Sequence, residues 1–158
     1  RQGEDPRCRP LTPGAARLLG AGRGRDLQDG RGAEGQFLLL RLRALFEQTE
    51  AGQRAVQEGC GTVAGCLFGN LALELRNHAE PVRGRLQEIF EAQVDMVEAV
   101  VVEARDRGAV TVSDPRQAAR AVVAQLEGQV MFAKLYNSPE RLSPLWDNCR
   151  ALLGAAGS

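Results

Sequence analysis

The chain has 158 residues, 44% apolar and 25% charged, enough to bury one core but tight for two. Twenty Lys plus Arg cancel twenty Asp plus Glu, which removes any global pull on nucleic acid or anionic lipid and leaves only local patches for such contacts. No apolar run approaches the ~20 residues of a membrane span, no signal-peptide pattern is read, and Cys8, Cys60, Cys66 and Cys149 have neither zinc-site spacing nor the density of a secreted disulfide scaffold. A cytoplasmic protein that does not engage membranes is expected.

Residues 1–35 hold eight of the eighteen glycines and three of the seven prolines. Such a composition offers few side chains to offset the ordering entropy of its backbone, so a disordered or irregular Gly/Arg-rich segment is expected there, with a short helix near Ala15. Residues 36–158 form the helical domain. Leu38, Leu42, Leu45 and Phe46 share one stripe of a helix running to about Val56, which the Gly-rich stretch Gly59 to Gly65 interrupts. A shorter helix, from about Cys66 to Asn77, carries Leu67, Phe68, Leu71, Ala72 and Leu75.

Pro81 suits the first turn of a long third helix, since its missing N–H would have no partner there. Val82, Leu86, Ile89, Phe90, Val97, Val100, Val101 and Ala104 make its apolar face, and Gly108 closes it as a left-handed cap. Ser113 or Asp114 supplies an N-cap and Pro115 a preset first residue for a fourth helix, reaching about Tyr136. That helix is apolar on nearly every side, so it needs cover both from its own chain and from a second copy. Asn137-Ser138-Pro139 ends it. A last helix, starting at Pro139 or Ser143, shows Leu142, Leu145, Trp146, Cys149, Leu152 and Leu153 on one face. With no period-2 pattern to suggest strands, the fold class is all-α with about five helices.

Three stretches, in this order, resemble the effector-binding and dimerisation domain of the tetracycline-repressor (TetR/AcrR) family of transcriptional regulators, in its LmrA/YxaF/NemR-like branch. They are Gly65-Cys66-Leu67-Phe68-Gly69-Asn70-Leu71-Ala72-Leu73-Glu74-Leu75, then Glu80-Pro81-Val82-Arg83, then Gly108-Ala109-Val110 through Asp114-Pro115 to Leu126-Glu127-Gly128. The likeness spans roughly residues 41–154. It implies a homodimer whose last two helices form a four-helix bundle, and a pocket among the preceding helices for a small hydrophobic effector. Family members carry an N-terminal helix-turn-helix with a Tyr-x-x-Phe segment, which residues 1–40 lack, so operator DNA is a partner only where an intact helix-turn-helix is present. Back-translating Gly30 to Leu42 and reading one nucleotide later permits AAGPKGSFYYFGS, which looks like that missing turn and recognition helix. A mis-framed or degraded DNA-binding region is therefore expected at the front.

Within this frame, Cys66, Phe68, Leu71, Phe90, Met96, Val97, Glu127 and Met131 are expected to line the effector pocket, each with ordinary core packing as the alternative. Ala121, Gly128, Phe132, Leu135, Leu142, Leu145, Trp146, Cys149 and Leu153 are expected at the dimer interface. Glu127 interrupts an apolar helix and must meet a cation such as Arg120, face the pocket or lose its charge. Cys66 begins a helix, where the dipole lowers a thiol pKa, so a cysteine-based redox or electrophile sensor is one alternative function. A dimeric ligand-binding module that does not bind DNA is another. His78 is the only histidine, which leaves no triad or multi-histidine metal site. Neither an enzyme nor a cofactor is expected.

Overall fold

The apolar stripes of three long helices set the architecture. The computed structural model describes residues 31–75 and 80–155, and among them are five α-helices, one 3-10 turn and no strand. The order is α1 (Arg31–Cys60), α2 (Leu67–Glu74), α3 (Glu80–Asp106), α4 (Pro115–Leu135), the 3-10 turn (Pro139–Leu142) and α5 (Leu145–Leu152). Residues 1–30, the helix end expected at Asn77-His78 and the last three residues lie outside the described residues. No helix among the described residues is long and apolar enough to cross a membrane.

α1 begins five residues before the change of texture at Gln36, because tertiary contact outweighs its glycines. Gly35 is packed so closely against the α3–α4 connection that an added Cβ would stand 2.7 Å from the Ala109 Cβ, and Arg107 reaches Glu34 at 3.1 Å. The expected stripe is buried, with Leu42 fully enclosed and Leu38 and Phe46 nearly so. Leu39, off that stripe, is buried as well.

α3 and α4 form the central pair. Val94, Val97, Val101 and Ala104 of α3 meet Ala119, Val122 and Val123 of α4, with Leu39, Leu42 and Phe46 of α1 and Leu145, Cys149 and Leu153 of the chain's end completing one core. A second cluster joins Val63, Val130, Ala133 and Leu142. Gly108 takes φ 74, the left-handed cap its position requires. Asp114 caps α4 by accepting from the Gln117 N–H at 3.0 Å, with Pro115 behind it as expected.

The buried side of α4 is only half of the helix. Val122, Val130 and Ala133 are enclosed, whereas Met131, Phe132 and Leu135 are exposed by 47%, 46% and 70%. The protomer therefore covers one side of α4 and leaves an apolar row on the other.

Candidate functional site

α2 is short, and none of its residues is buried. Its start is fixed by Cys66, whose extended backbone (φ −87, ψ 124) and Sγ, accepting from the Gly69 N–H at 3.4 Å, make it the N-cap. Further along, α2 and α3 stand apart around a groove of about 580 Å³. Ala72 and Leu75 line one wall, and Leu86, Phe90, Arg83, Gln87 and Glu91 the other. Four apolar side chains and three polar ones thus share the groove, a mixture that can hold an apolar body and fix a polar group of a small molecule.

Phe90 is the one expected pocket residue on the groove wall. Phe68 is half-buried and Leu71 is 38% exposed, both on the helix that supplies Ala72 and Leu75. Val97 lies in the main core among Val94, Val101 and Leu42, so it has no wall to offer. Met96 is half-buried on α3 away from the groove lining, and Met131 belongs to the exposed row of α4. The other lining residues were not expected there: Ala72, Leu75 and Leu86 were read only as helix stripe, and Arg83, Gln87 and Glu91 as polar face. At helical spacing those last three are indistinguishable from an ordinary solvated face.

Cys66 and Glu127 do meet, at the start of α2 rather than in the groove. The thiol and the carboxylate are near enough to shift each other's titration, and the carboxylate passes so close to Gly69 that a Cβ there would lie 2.9 Å from Oε2. Arg120 does not neutralise Glu127; its partner is Glu91, at 3.5 Å. Burial pushes the Cys66 thiol up to about 11, and the Glu127 carboxylate adds to the rise against the Gly69 hydrogen bond. The helix N-terminus contributes up to ~2 kcal/mol in the other direction for a partly buried group, but the balance still lies with burial, and the thiol is protonated at neutral pH. This opposes the thiolate an oxidant or electrophile sensor needs.

Glu127 is itself held above its ordinary value of 4.5, first by burial, with the Cys66 thiol working against the rise. The neutral acid is the form the fold favours, so its contribution to stability is complete below about pH 4.5 and declines as pH rises through the elevated folded value. Glu127→Gln is expected to melt with the unaltered chain at pH 4 and above it at pH 7.5. Equal melting temperatures at both pH values would remove burial as the governing influence.

On the side where α3 meets α4, Arg116 bonds Glu98 at 2.8 Å and also Asp95 and Glu91. Asp95 and Glu98 raise the Arg116 guanidinium further above its ordinary range. Glu91, on the groove wall, is thereby tied to α4.

The expected pairing residues divide into two groups. Leu142, Leu145, Cys149 and Leu153 are buried inside the protomer at 3%, 1%, 0% and 0% exposure, so they are core and have no surface to present to a second copy. Trp146 is half-buried and packs on Phe46 with ring centroids 6.5 Å apart. The other group faces outward along α4. Ala121 and Gly128 are half-buried, and Phe132 and Leu135 are exposed, at helical spacing on one side. Among the described residues, nothing beyond its own helix lies within 4 Å of where a Gly128 Cβ would be, so no other described element packs closely there. Tyr136 extends the row, its ring stacked on Phe132 at 6.5 Å and covered by the Arg141 guanidinium at 3.7 Å.

No group of three or more potential metal ligands occurs among the described residues. Residues 39–147 match the family model described as the tetracyclin repressor-like, C-terminal domain. Neither a curated protein nor a solved structure matches the chain.

Proposed function

The chain belongs to the tetracyclin repressor-like C-terminal domain family, and from that premise we propose that it is the effector-sensing and pairing part of a transcriptional regulator, most simply a repressor. Two copies pair through the outer side of α4, with α5 as the second helix each contributes, in a bundle of four helices. The observation that carries this reading is the uncovered apolar row on α4, because a contiguous exposed apolar surface marks an interaction site and a two-fold axis lets one such surface cover another. The groove between α2 and α3 receives a small, mostly apolar effector.

In this reading, effector binding shifts the balance between two helix arrangements and so changes the spacing of whatever DNA-reading heads the pair carries. Operator DNA is a partner only where an intact helix-turn-helix precedes the domain. The mechanism needs differential affinity for two states and no bond-making chemistry, in keeping with a regulator that works in the cytoplasm.

The groove is tested with 1-anilinonaphthalene-8-sulfonate, a probe with an apolar body and an anionic end, titrated by fluorescence. Phe90→Ala removes the largest apolar wall, and a side chain of that kind is worth about 1.5–3 kcal/mol of apolar burial, so binding should weaken about tenfold or more. Leu135→Ala, on the outer side of α4, should leave it unchanged. Equal affinity in the chain and in Phe90→Ala would reject the groove as the binding site.

A further inference from the structure

The segment 61–66, between α1 and α2, has no regular structure, so its backbone N–H and C=O groups must find partners elsewhere. They find them in amide side chains from two distant places. From α1, Gln53 is the buried polar residue of the described core, at 6% exposure. Its Nε2 donates to the Gly65 carbonyl at 3.1 Å and its Oε1 accepts from the Gly65 N–H at 2.9 Å, while Gly65 holds φ 79. From the turn after α4, Asn137 also occupies a left-handed conformation, φ 49. Its Oδ1 accepts from the Val63 N–H at 2.8 Å and its Nδ2 donates to the Gly61 carbonyl at 2.9 Å. Gln57 donates to the Asn137 carbonyl.

The connection continues into α2. The Asn70 Nδ2 donates to the Ala64 carbonyl at 3.1 Å, and its Oδ1 accepts from Lys134 Nζ at 2.8 Å. Val63 is buried with Val130 and Ala133 of α4 and with Leu142. The start of α2 is thus attached to the last turns of α4 by both polar and apolar contacts, while its far end, at Ala72 and Leu75, borders the groove.

We propose that Asn137 is a positioning residue that binds the segment leading into α2 and the C-terminal end of α4 into one rigid unit, with Gln53 fastening the same segment to α1. A displacement of α2 at the groove then carries with it the end of α4 that bears Met131, Phe132 and Leu135. The functional meaning of this coupling rests on the reading of the groove and the pairing row given above. The coupling itself does not.

Hydrogen exchange read by mass spectrometry over graded urea, on the whole chain and with no ligand added, tests it. In the unaltered chain, peptides covering residues 62–71 and 130–137 should open together, with the same dependence on urea. Asn137→Gly keeps the left-handed backbone and deletes both side-chain bonds. It should speed exchange in 62–71 by about tenfold or more, roughly what loss of two hydrogen bonds implies, while 130–137 and α3 keep their protection. Asn137→Asp, which retains the acceptor for Val63, should restore part of that protection. Gln53→Met deletes the bonds to α1 and keeps those to α4, so 62–71 and 130–137 should both exchange faster and still open together; it serves if Asn137→Gly does not fold. Independent opening of the two regions in the unaltered chain would overturn the proposal. So would unchanged exchange in 62–71, or an equal loss of protection in every helix. Failure of the dye to bind the groove bears on the ligand reading and leaves this result standing.

Discussion

A chain carrying Phe132→Arg and Leu135→Arg is expected to sediment as a single copy at concentrations where the unaltered chain sediments as a pair. Both side chains are already exposed in the protomer, so the substitutions remove nothing from the core and should leave the helical signal intact. Full burial of a Leu or Phe is worth about 1.5–3 kcal/mol, and two-fold symmetry places two of each at the junction. Losing even half of that sum raises Kd about a hundredfold or more, before the cost of bringing four guanidinium groups together. Open space beside Gly128 allows the two α4 helices to approach closely at the middle of the row, and Phe132 and Leu135 lie one and two turns beyond it. Analytical ultracentrifugation at micromolar concentration decides the matter. A pair that survives both arginines unchanged would move the interface elsewhere, and an unaltered chain that is already single would remove it.

Local signals in the sequence were sufficient for most of the fold. Asp114-Pro115 specifies a helix start through one capping oxygen and one preset φ, and that start is found where the residues place it. Gly108 specifies a stop through the left-handed backbone that it alone tolerates without cost, and its φ agrees. The stripe of α1 and the later half of the α3 stripe, from Val97 to Ala104, are buried because a side-chain period determines which side of a helix is apolar, whereas Val82 at the front of α3 is exposed. What a period cannot specify is the surface that covers it. The row Leu142, Leu145, Cys149 and Leu153 is as apolar as the sequence reading held, but it is covered by α1 and α4 of the same chain. The outward row of α4 was legible only in part, through Ala121, Gly128, Phe132 and Leu135.

The candidate site was less legible for a related reason. Its decisive contacts join residues far apart in the chain. Gln53 reads as one more polar residue of a long helix until Gly65 is seen between its two amide atoms. Asn137 reads as a helix stop, which it is, but its side chain belongs to the segment 61–63. Cys66 shows local and tertiary influences in opposition. The helix start argues for a lowered thiol pKa, and burial beside Glu127 overrules it. Glu127 was rightly marked as an acid that needs a partner. Its neighbour is a thiol, which only the approach of the start of α2 to Glu127 brings near.

Leu145→Ala should lower the free energy of unfolding by about 3 kcal/mol, within the 2–5 kcal/mol range for enclosed Leu side chains whose surroundings relax only in part. Leu145 is 1% exposed and packs in the main core, so its removal leaves a void between α5 and the central helices. In urea the midpoint should fall while the slope stays the same, as for a change in stability without a change in the surface exposed. Protein concentration must be held fixed, since pairing would add its own stabilisation. Leu152→Ala, one helix position from the buried Leu153 but 46% exposed, should cost under about 1 kcal/mol. The comparison separates two roles that the α5 stripe left undivided. A core residue lowers stability and leaves the pairing constant within about threefold, since its contacts lie inside one chain. If Leu145→Ala instead weakened pairing and left the urea midpoint of the single copy unchanged, α5 would have to turn its buried side toward the partner. The apolar row of α4 would then lose its claim to be the surface through which two copies meet.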